Sequence, residues 1–344
     1  MPIDVYPDVI NGFHAVLSPE VRDRLRRDPD VTAVIPNATV VALGEQIGPP
    51  WHLDRLDQRV MPLNNKYLFE TTGKGVDVYV LDGAIDLTHS EFEGRAGILG
   101  NGGTDASVWA RLQATQGKAC QSHGTAVAGV LAGAQSGVAK SANLISVRVL
   151  DCNGKGNLDG IANAVEQVGR AIAAAKPRRA VLNFSVGVKR VPDAEPLFRR
   201  VFQNLDDAVI VAAAGNDNED ACFTLPAGIP EILTVGATTS KDLRRFDSNF
   251  GKCVDVFAPG DLILTTFPGG PIGKVGGTSY AAPIVSGIAA RLLERYPAMS
   301  ARDVVATILR IAVPQKVEGG SAPAALLACT DGMDDGKPGA VDKP

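Results

Sequence analysis

The chain has 344 residues, 34 basic against 38 acidic, 37 glycines and 45% hydrophobic residues, enough apolar content for one large domain with small appendages. So even a charge balance leaves no Lys/Arg stripe for phosphate contacts, and nucleic acid is not expected as a partner. No apolar run is long enough to cross a bilayer, so no membrane partner is expected either.

Met1-Pro2-Ile3-Asp4 shows neither the basic nor the apolar region of a secretory signal. Residues 1–47 read as a small separate unit. Gly12 to Leu17 alternates like a strand, Ser18-Pro19-Glu20 opens a short helix through Arg27, and Val31 to Ile35 reads as a second strand. A linker with Gly44, Gly48, Pro49 and Pro50 leads to Trp51, and residues 48–318 form the main domain.

Gly75 to Leu81 is an apolar strand that delivers Asp82 to its carboxyl end, followed by Gly83-Ala84. In open α/β sheets that edge holds the chemistry. By itself Asp82 reads as a cap on the next turn. Gly94 to Lys118 reads as a long surface loop. It ends before Ser122-His123-Gly124-Thr125-Ala126-Val127-Ala128-Gly129, a histidine at the head of a helix of very small residues. Such residues let a helix pack closely, so the imidazole would be held by rigid backbone.

Strand and helix then alternate: Leu144 to Leu150, Gly160 to Ala175, Ala180 to Phe184, Glu195 to Gln203, Ala208 to Ala213. That rhythm predicts a mainly parallel sheet covered on both faces. Further strands are expected at Ile232 to Val235 and Val254 to Phe257. Gly276-Gly277-Thr278-Ser279 then opens an Ala-rich helix in which Pro283 is expected to fall within the first turn, where its missing N–H costs nothing. Taken alone, Ser279 is an ordinary N-cap. A last helix is expected at Ala301 to Ile311, and residues 319–344, rich in Gly, Ala, Pro and Asp, read as a disordered tail.

Asp82, His123, Asn216 and Ser279 together offer a carboxylate, a base, an amide donor and a nucleophile. Their order along the chain is Asp, His, Ser, which is neither the chymotrypsin nor the α/β-hydrolase order. On these motifs the chain resembles the subtilisin-like serine endopeptidases of the proteinase K branch. Gly277-Thr278-Ser279-Tyr280-Ala281-Ala282-Pro283 matches the serine signature, His123 to Gly129 the histidine signature and Ala213-Ala214-Gly215-Asn216 the oxyanion segment. The aspartate motif departs from the pattern, since Gly83-Ala84 replaces a small hydroxylated residue and glycine. If Ala84 took a left-handed backbone it would cost about 1 kcal/mol. Tyr280 stands where methionine is usual.

The resemblance implies a three-layer αβα fold plus a small α+β prosegment remnant, with Gly12-Phe13, Ser18-Pro19-Glu20 and Asp30 to Val34 matching the second half of an inhibitory prosegment. It implies acyl transfer by Ser279, His123 and Asp82, with the Asn216 amide holding the oxyanion. Peptide substrates would bind as an extended strand between Gly154-Lys155-Gly156 and Ser185-Val186-Gly187, with an apolar S1 pocket walled by Gly187, Ala213, Ala214 and Gly215. Self-cleavage is expected between Leu43 and Pro50, with the prosegment as intramolecular inhibitor. No cofactor is required for the chemistry, and the protein is expected to be monomeric.

Five cysteines show no C-x-x-C spacing, which argues against zinc, and their count leaves reduced thiols and disulfides equally open. The resemblance implies the pairs Cys120–Cys152 and Cys222–Cys253, hence a secreted protein, and a calcium ion on Asp255 with the carbonyls of Pro230 and Ile232. A competing expectation is a binding protein of this fold whose retained prosegment blocks the cleft. Nucleotide binding finds no support, because neither Gly-Lys-Gly stretch fits a P-loop.

Overall fold

A computed structural model describes residues 2–8, 10–35, 44–99, 122–175, 180–191, 193–203, 205, 208–314, 317 and 326–330. It divides into two compact units, Met1–Ala42 and Leu43–Pro344. The division falls before residue 47 because Gly44–Ile47 (β3) pairs antiparallel with Lys66–Phe69 (β4), inside the larger unit.

In the smaller unit Asp4–Tyr6 (β1) pairs antiparallel with Gly12–His14 (β2). The helix Pro19–Leu25 (α1) starts on Ser18, whose hydroxyl accepts the Val21 N–H at 3.4 Å. Val31–Ile35 forms no strand. Alternation is a statement about faces, and a strand also needs a neighbour for its backbone groups.

The larger unit is built on a seven-stranded sheet in the order β13-β12-β10-β8-β5-β7-β6. Its strands are Asp77–Asp82 (β5), Ala96–Ile98 (β6), Asn143–Arg148 (β7), Ala180–Phe184 (β8), Ala208–Ala213 (β10), Leu233–Thr238 (β12) and Val256–Pro259 (β13). All neighbours run parallel. Strand β6 lies within the stretch read from sequence as loop; residues 100–118 of that stretch lie outside the described residues. Four two-stranded pairings were not anticipated: β1 with β2 in the smaller unit, and in the larger one β3 with β4, the hairpin of Ile263–Thr266 (β14) and Ile272–Val275 (β15), and Val188–Lys189 (β9) against Thr224–Leu225 (β11).

Both faces of the sheet are buried, which is why its strands read as near-continuous apolar runs. Val78 and Val80 of β5 face a core shared with Ser122–Ala132 (α3) and Thr278–Arg295 (α6), and with Ala301–Ile311 (α7). Tyr79 and Leu81 face the opposite core, shared with Leu158–Ala174 (α4) and Glu195–Phe202 (α5). Trp51–Leu56 (α2) precedes β4.

Two expectations are corrected. Pro283 is the sixth residue of α6, past the first turn, so the helix does lose a hydrogen bond there. The tail expected at 319–344 is ordered at 326–330: Leu327 bridges Phe257 and Val313, and Leu327, Ala328 and Cys329 are buried. The apolar segment Leu326-Leu327-Ala328-Cys329 supplies the burial that the surrounding composition lacks. The remainder of that expectation lies outside the described residues.

Candidate active site

Chain order places β5 at the turning point of the sheet: β6 and β7 are added on one side of it, β8 and the later strands on the other. Crossovers leaving in opposite directions open a crevice at the carboxyl ends of β5 and β8, where α/β folds bind ligands. Asp82 is the last residue of β5 and Ser185 follows the last residue of β8.

The Asp82 carboxylate is fully buried, and its Oδ1 accepts the His123 Nδ1–H at 2.7 Å and the Gly83 N–H at 2.6 Å. Oδ2 is buried without a partner among the described residues. A carboxylate can only accept here, so the proton sits on Nδ1 and leaves Nε2 as the basic nitrogen. Burial alone would lower the His123 pKa; the charge and hydrogen bond of Asp82 outweigh it and hold the imidazole above its ordinary value. Neither Gly83 nor Ala84 has a positive φ, so the altered turn carries no left-handed strain.

Ser279 is the second residue of α6, and the glycine before its first turn, Gly277, has φ of +136°. The Ser279 hydroxyl donates to the Ser185 carbonyl at 3.1 Å rather than to the imidazole. The imidazole lies near the same helix start, its ring centroid 5.6 Å from that of Tyr280, the residue after Ser279. Burial, then the Asp82 charge, pushes the Tyr280 phenol up to about 12. The side-chain oxygen of Asn216 accepts from Thr278 N at 2.8 Å and Thr278 Oγ1 at 3.0 Å. That orientation keeps the Asn216 NH₂ group free of these bonds, as a donor.

Asp82 and His123 thus meet directly, while Asn216 and Ser279 are tied to the same helix start. At the expected pocket walls, Ala213 and Ala214 are buried, and Gly215 takes φ of +106° where a Cβ would lie 2.3 Å from Asn249 Nδ2. Gly187 is exposed beside Val186, and a Cβ there would lie 3.1 Å from Thr224 Cγ2. Asp151 organises the turn carrying Gly154-Lys155-Gly156 by accepting the N–H groups of Asn153 and Lys155. Cys222 and Cys253 are joined by a disulfide. Cys152 is also disulfide-bonded, whereas Cys120 lies outside the described residues. The Asp255 carboxylate accepts the Thr234 N–H at 2.8 Å.

The description of the subtilase family matches residues 73–340, and that of the peptidase inhibitor I9 family matches residues 2–42. The chain belongs to the subtilase family. It is accordingly a serine endopeptidase with an inhibitor-type prosegment. Among curated relatives, an extracellular serine proteinase of Thermus sp. (strain Rt41A) is 38% identical over 318 residues, which is 91% of this chain and 74% of that protein. An alkaline serine exoprotease A of Vibrio alginolyticus is also 38% identical, over 99% of this chain and 63% of its own length. The crystal structure of a cold adapted subtilisin-like serine proteinase superposes with a TM-score of 0.72 at 35% identity, covering 83% of this subtilase and 100% of that chain.

In this subtilase sequence reasoning missed the buried polar chain next to the site, in which Asn183 bonds Ser286 and the hydroxyl of Ser185. The signal available was an amide in an otherwise apolar strand, Ala180-Val181-Leu182-Asn183-Phe184.

Proposed function

We propose that this subtilase hydrolyses peptide bonds through an acyl-enzyme on Ser279, with His123 as base and then acid and Asp82 holding the imidazole tautomer. The observation that carries this is the 2.7 Å bond from His123 Nδ1 to the buried Asp82 at the turning point of the sheet. The mechanism requires the Ser279 hydroxyl to rotate from the Ser185 carbonyl to Nε2. Attack on the carbonyl passes the hydroxyl proton to Nε2, which gives it to the leaving amine, and water then releases the acyl group. The Asn216 NH₂ and the Ser279 backbone N–H stabilise the oxyanion.

Substrate adds as an extended strand between Gly154-Lys155-Gly156 and Ser185-Val186-Gly187. Small uncharged walls at Gly187 and Ala213-Ala214-Gly215 favour apolar residues at P1. The pairing of Gly44–Ile47 with β4 supports self-cleavage at the start of the 43–50 window, near Leu43, since a later cut would remove a paired strand. The extracellular proteinase from Thermus supports secretion. Calcium fits Asp255 with the carbonyls of Pro230 and Ile232 in donor type, all hard oxygens, although Asp255 Oδ2 already serves Thr234. Calcium-dependent thermal stability that disappears in Asp255→Asn would support it; an equal response in both proteins would sink it.

A fluorophosphonate probe tests the central reading. Ser279 should label, Ser279→Ala should neither label nor cut itself near residue 43, and Asn216→Leu should lower kcat by about 10² to 10³ with little change in KM. A processed wild type that fails to label would leave the fold acting as a binding protein.

A further inference from the structure

Asn183 stands in register with Val80 on one neighbouring strand and Val211 on the other, and all three are fully buried. A primary amide among valines is unfavourable unless its donors and acceptor are met. Its Oδ1 accepts from Ser286 Oγ at 2.9 Å, and its Nδ2 donates to Ser185 Oγ at 2.9 Å. Ser185 Oγ in turn donates to the backbone carbonyl of Ser279 at 2.7 Å. A carbonyl can only accept, and a serine hydroxyl has one proton, so the direction of every bond in the chain follows from its last member.

That last member is the carbonyl which α6 leaves without its helical partner. In a continuous helix the Ser279 carbonyl would accept the N–H four residues on; residue 283 is proline and has none. Ser185 and Ser279 are also joined in the reverse sense, because the Ser279 hydroxyl donates to the Ser185 carbonyl at 3.1 Å.

We infer that Ser286, Asn183 and the Ser185 hydroxyl form a positioning relay. It replaces the helical hydrogen bond that Pro283 removes from the nucleophile's own carbonyl, and so sets the orientation of Ser279 for attack. Asn183 and Ser286 act through Ser185 and are positioning residues. This rests on Ser279 being the nucleophile.

The test is the second-order rate of fluorophosphonate labelling in protein expressed from the full chain, with kcat and KM on a peptide substrate measured beside it. Ser185→Ala should slow labelling and kcat together by about ten- to hundredfold, because small misplacements of a reacting group cost that much, and Ser286→Ala, outside the substrate segments, should do so with KM changed by less than about twofold. Asn183→Leu should slow the wild type but add nothing to Ser185→Ala, since both break the same chain. Pro283→Ala restores an N–H to the orphaned carbonyl, so Ser185→Ala should cost less in that background. Labelling of Ser185→Ala at the wild-type rate, or penalties of Asn183→Leu and Ser185→Ala that multiply, would overturn the relay. Should Asn183→Leu fail to fold, Ser286→Ala takes its place in the cycle, with Ser286→Thr expected to restore the rate. A wild type that does not label would instead overturn the assignment of Ser279.

Discussion

Gly124 rests directly on the turn that follows Asp82: a Cβ at that position would lie 2.5 Å from the Gly83 carbonyl oxygen and 2.6 Å from that of Ala84. The start of α3 is therefore seated on the Asp82 loop by backbone contact, and His123 is carried into place by it. Backbone cannot swing aside as a side chain can. Gly124→Ala should lower kcat by about 10² or more, more than it lowers the population of folded protein. Full activity in a folded Gly124→Ala variant would show that the close approach is dispensable.

The pH dependence follows from the same pair. On the proposed mechanism His123 must be neutral to accept a proton, so activity should rise as pH climbs through its pKa, which Asp82 holds above the ordinary 6.5. Asp82→Asn removes the charge that opposes desolvation. Its acid limb in kcat/KM should move to lower pH while kcat falls by about 10⁴. An unmoved limb would mean that another group governs it.

His52 is fully buried, with Nε2 donating to the Ser136 carbonyl at 2.9 Å and Nδ1 without a partner among the described residues. Burial lowers its pKa to about 4 from 6.5. The folded value lies below the unfolded one, so its contribution to stability is present above pH 6.5 and lost as pH falls toward 4. The span corresponds to about 3 kcal/mol. Asp57 acts in the opposite sense, because burial raises it to about 6 and its contribution is lost as pH rises through that value. Comparing wild type with His52→Gln isolates the histidine: the difference between their urea unfolding free energies should change by about that amount from pH 7 to pH 4. A difference independent of pH would contradict the assignment.

Arg55 and Asp242 form a two-bond ion pair at 2.9 and 3.0 Å, tying α2 to the turn after β12, with the arginine side chain 1% exposed. Asp242 has φ of +60°, a backbone that asparagine tolerates. Asp242→Asn therefore removes the charge and keeps the turn. It should destabilise the protein by about 3–5 kcal/mol, because Arg55 is left buried without its counter-charge. Equilibrium unfolding gives the value directly, and a loss below about 1 kcal/mol would place the pair among the exposed, weak ones.

Much of this subtilase could be read from its residues because the relevant physics is local. Apolar runs five to six residues long between helical segments imply a covered parallel sheet, and β8 and β10 occur at the residues where that pattern puts them. A histidine heading a helix of small residues and a serine after two glycines single out the proposed site for the same reason, since cap and packing chemistry lie within a few positions. What only the tertiary structure decided are contacts between distant residues. Leu327 forms a bridge with Phe257, Gly44–Ile47 pairs with β4, and Val31–Ile35 alternates without a strand partner among the described residues. Pro283 shows the limit most plainly: its ring states that one carbonyl loses a helical bond, but that a hydroxyl 94 residues earlier takes it up depends on how β8 and α6 pack. Local sequence sets which groups must be satisfied, and only the packed fold supplies their partners.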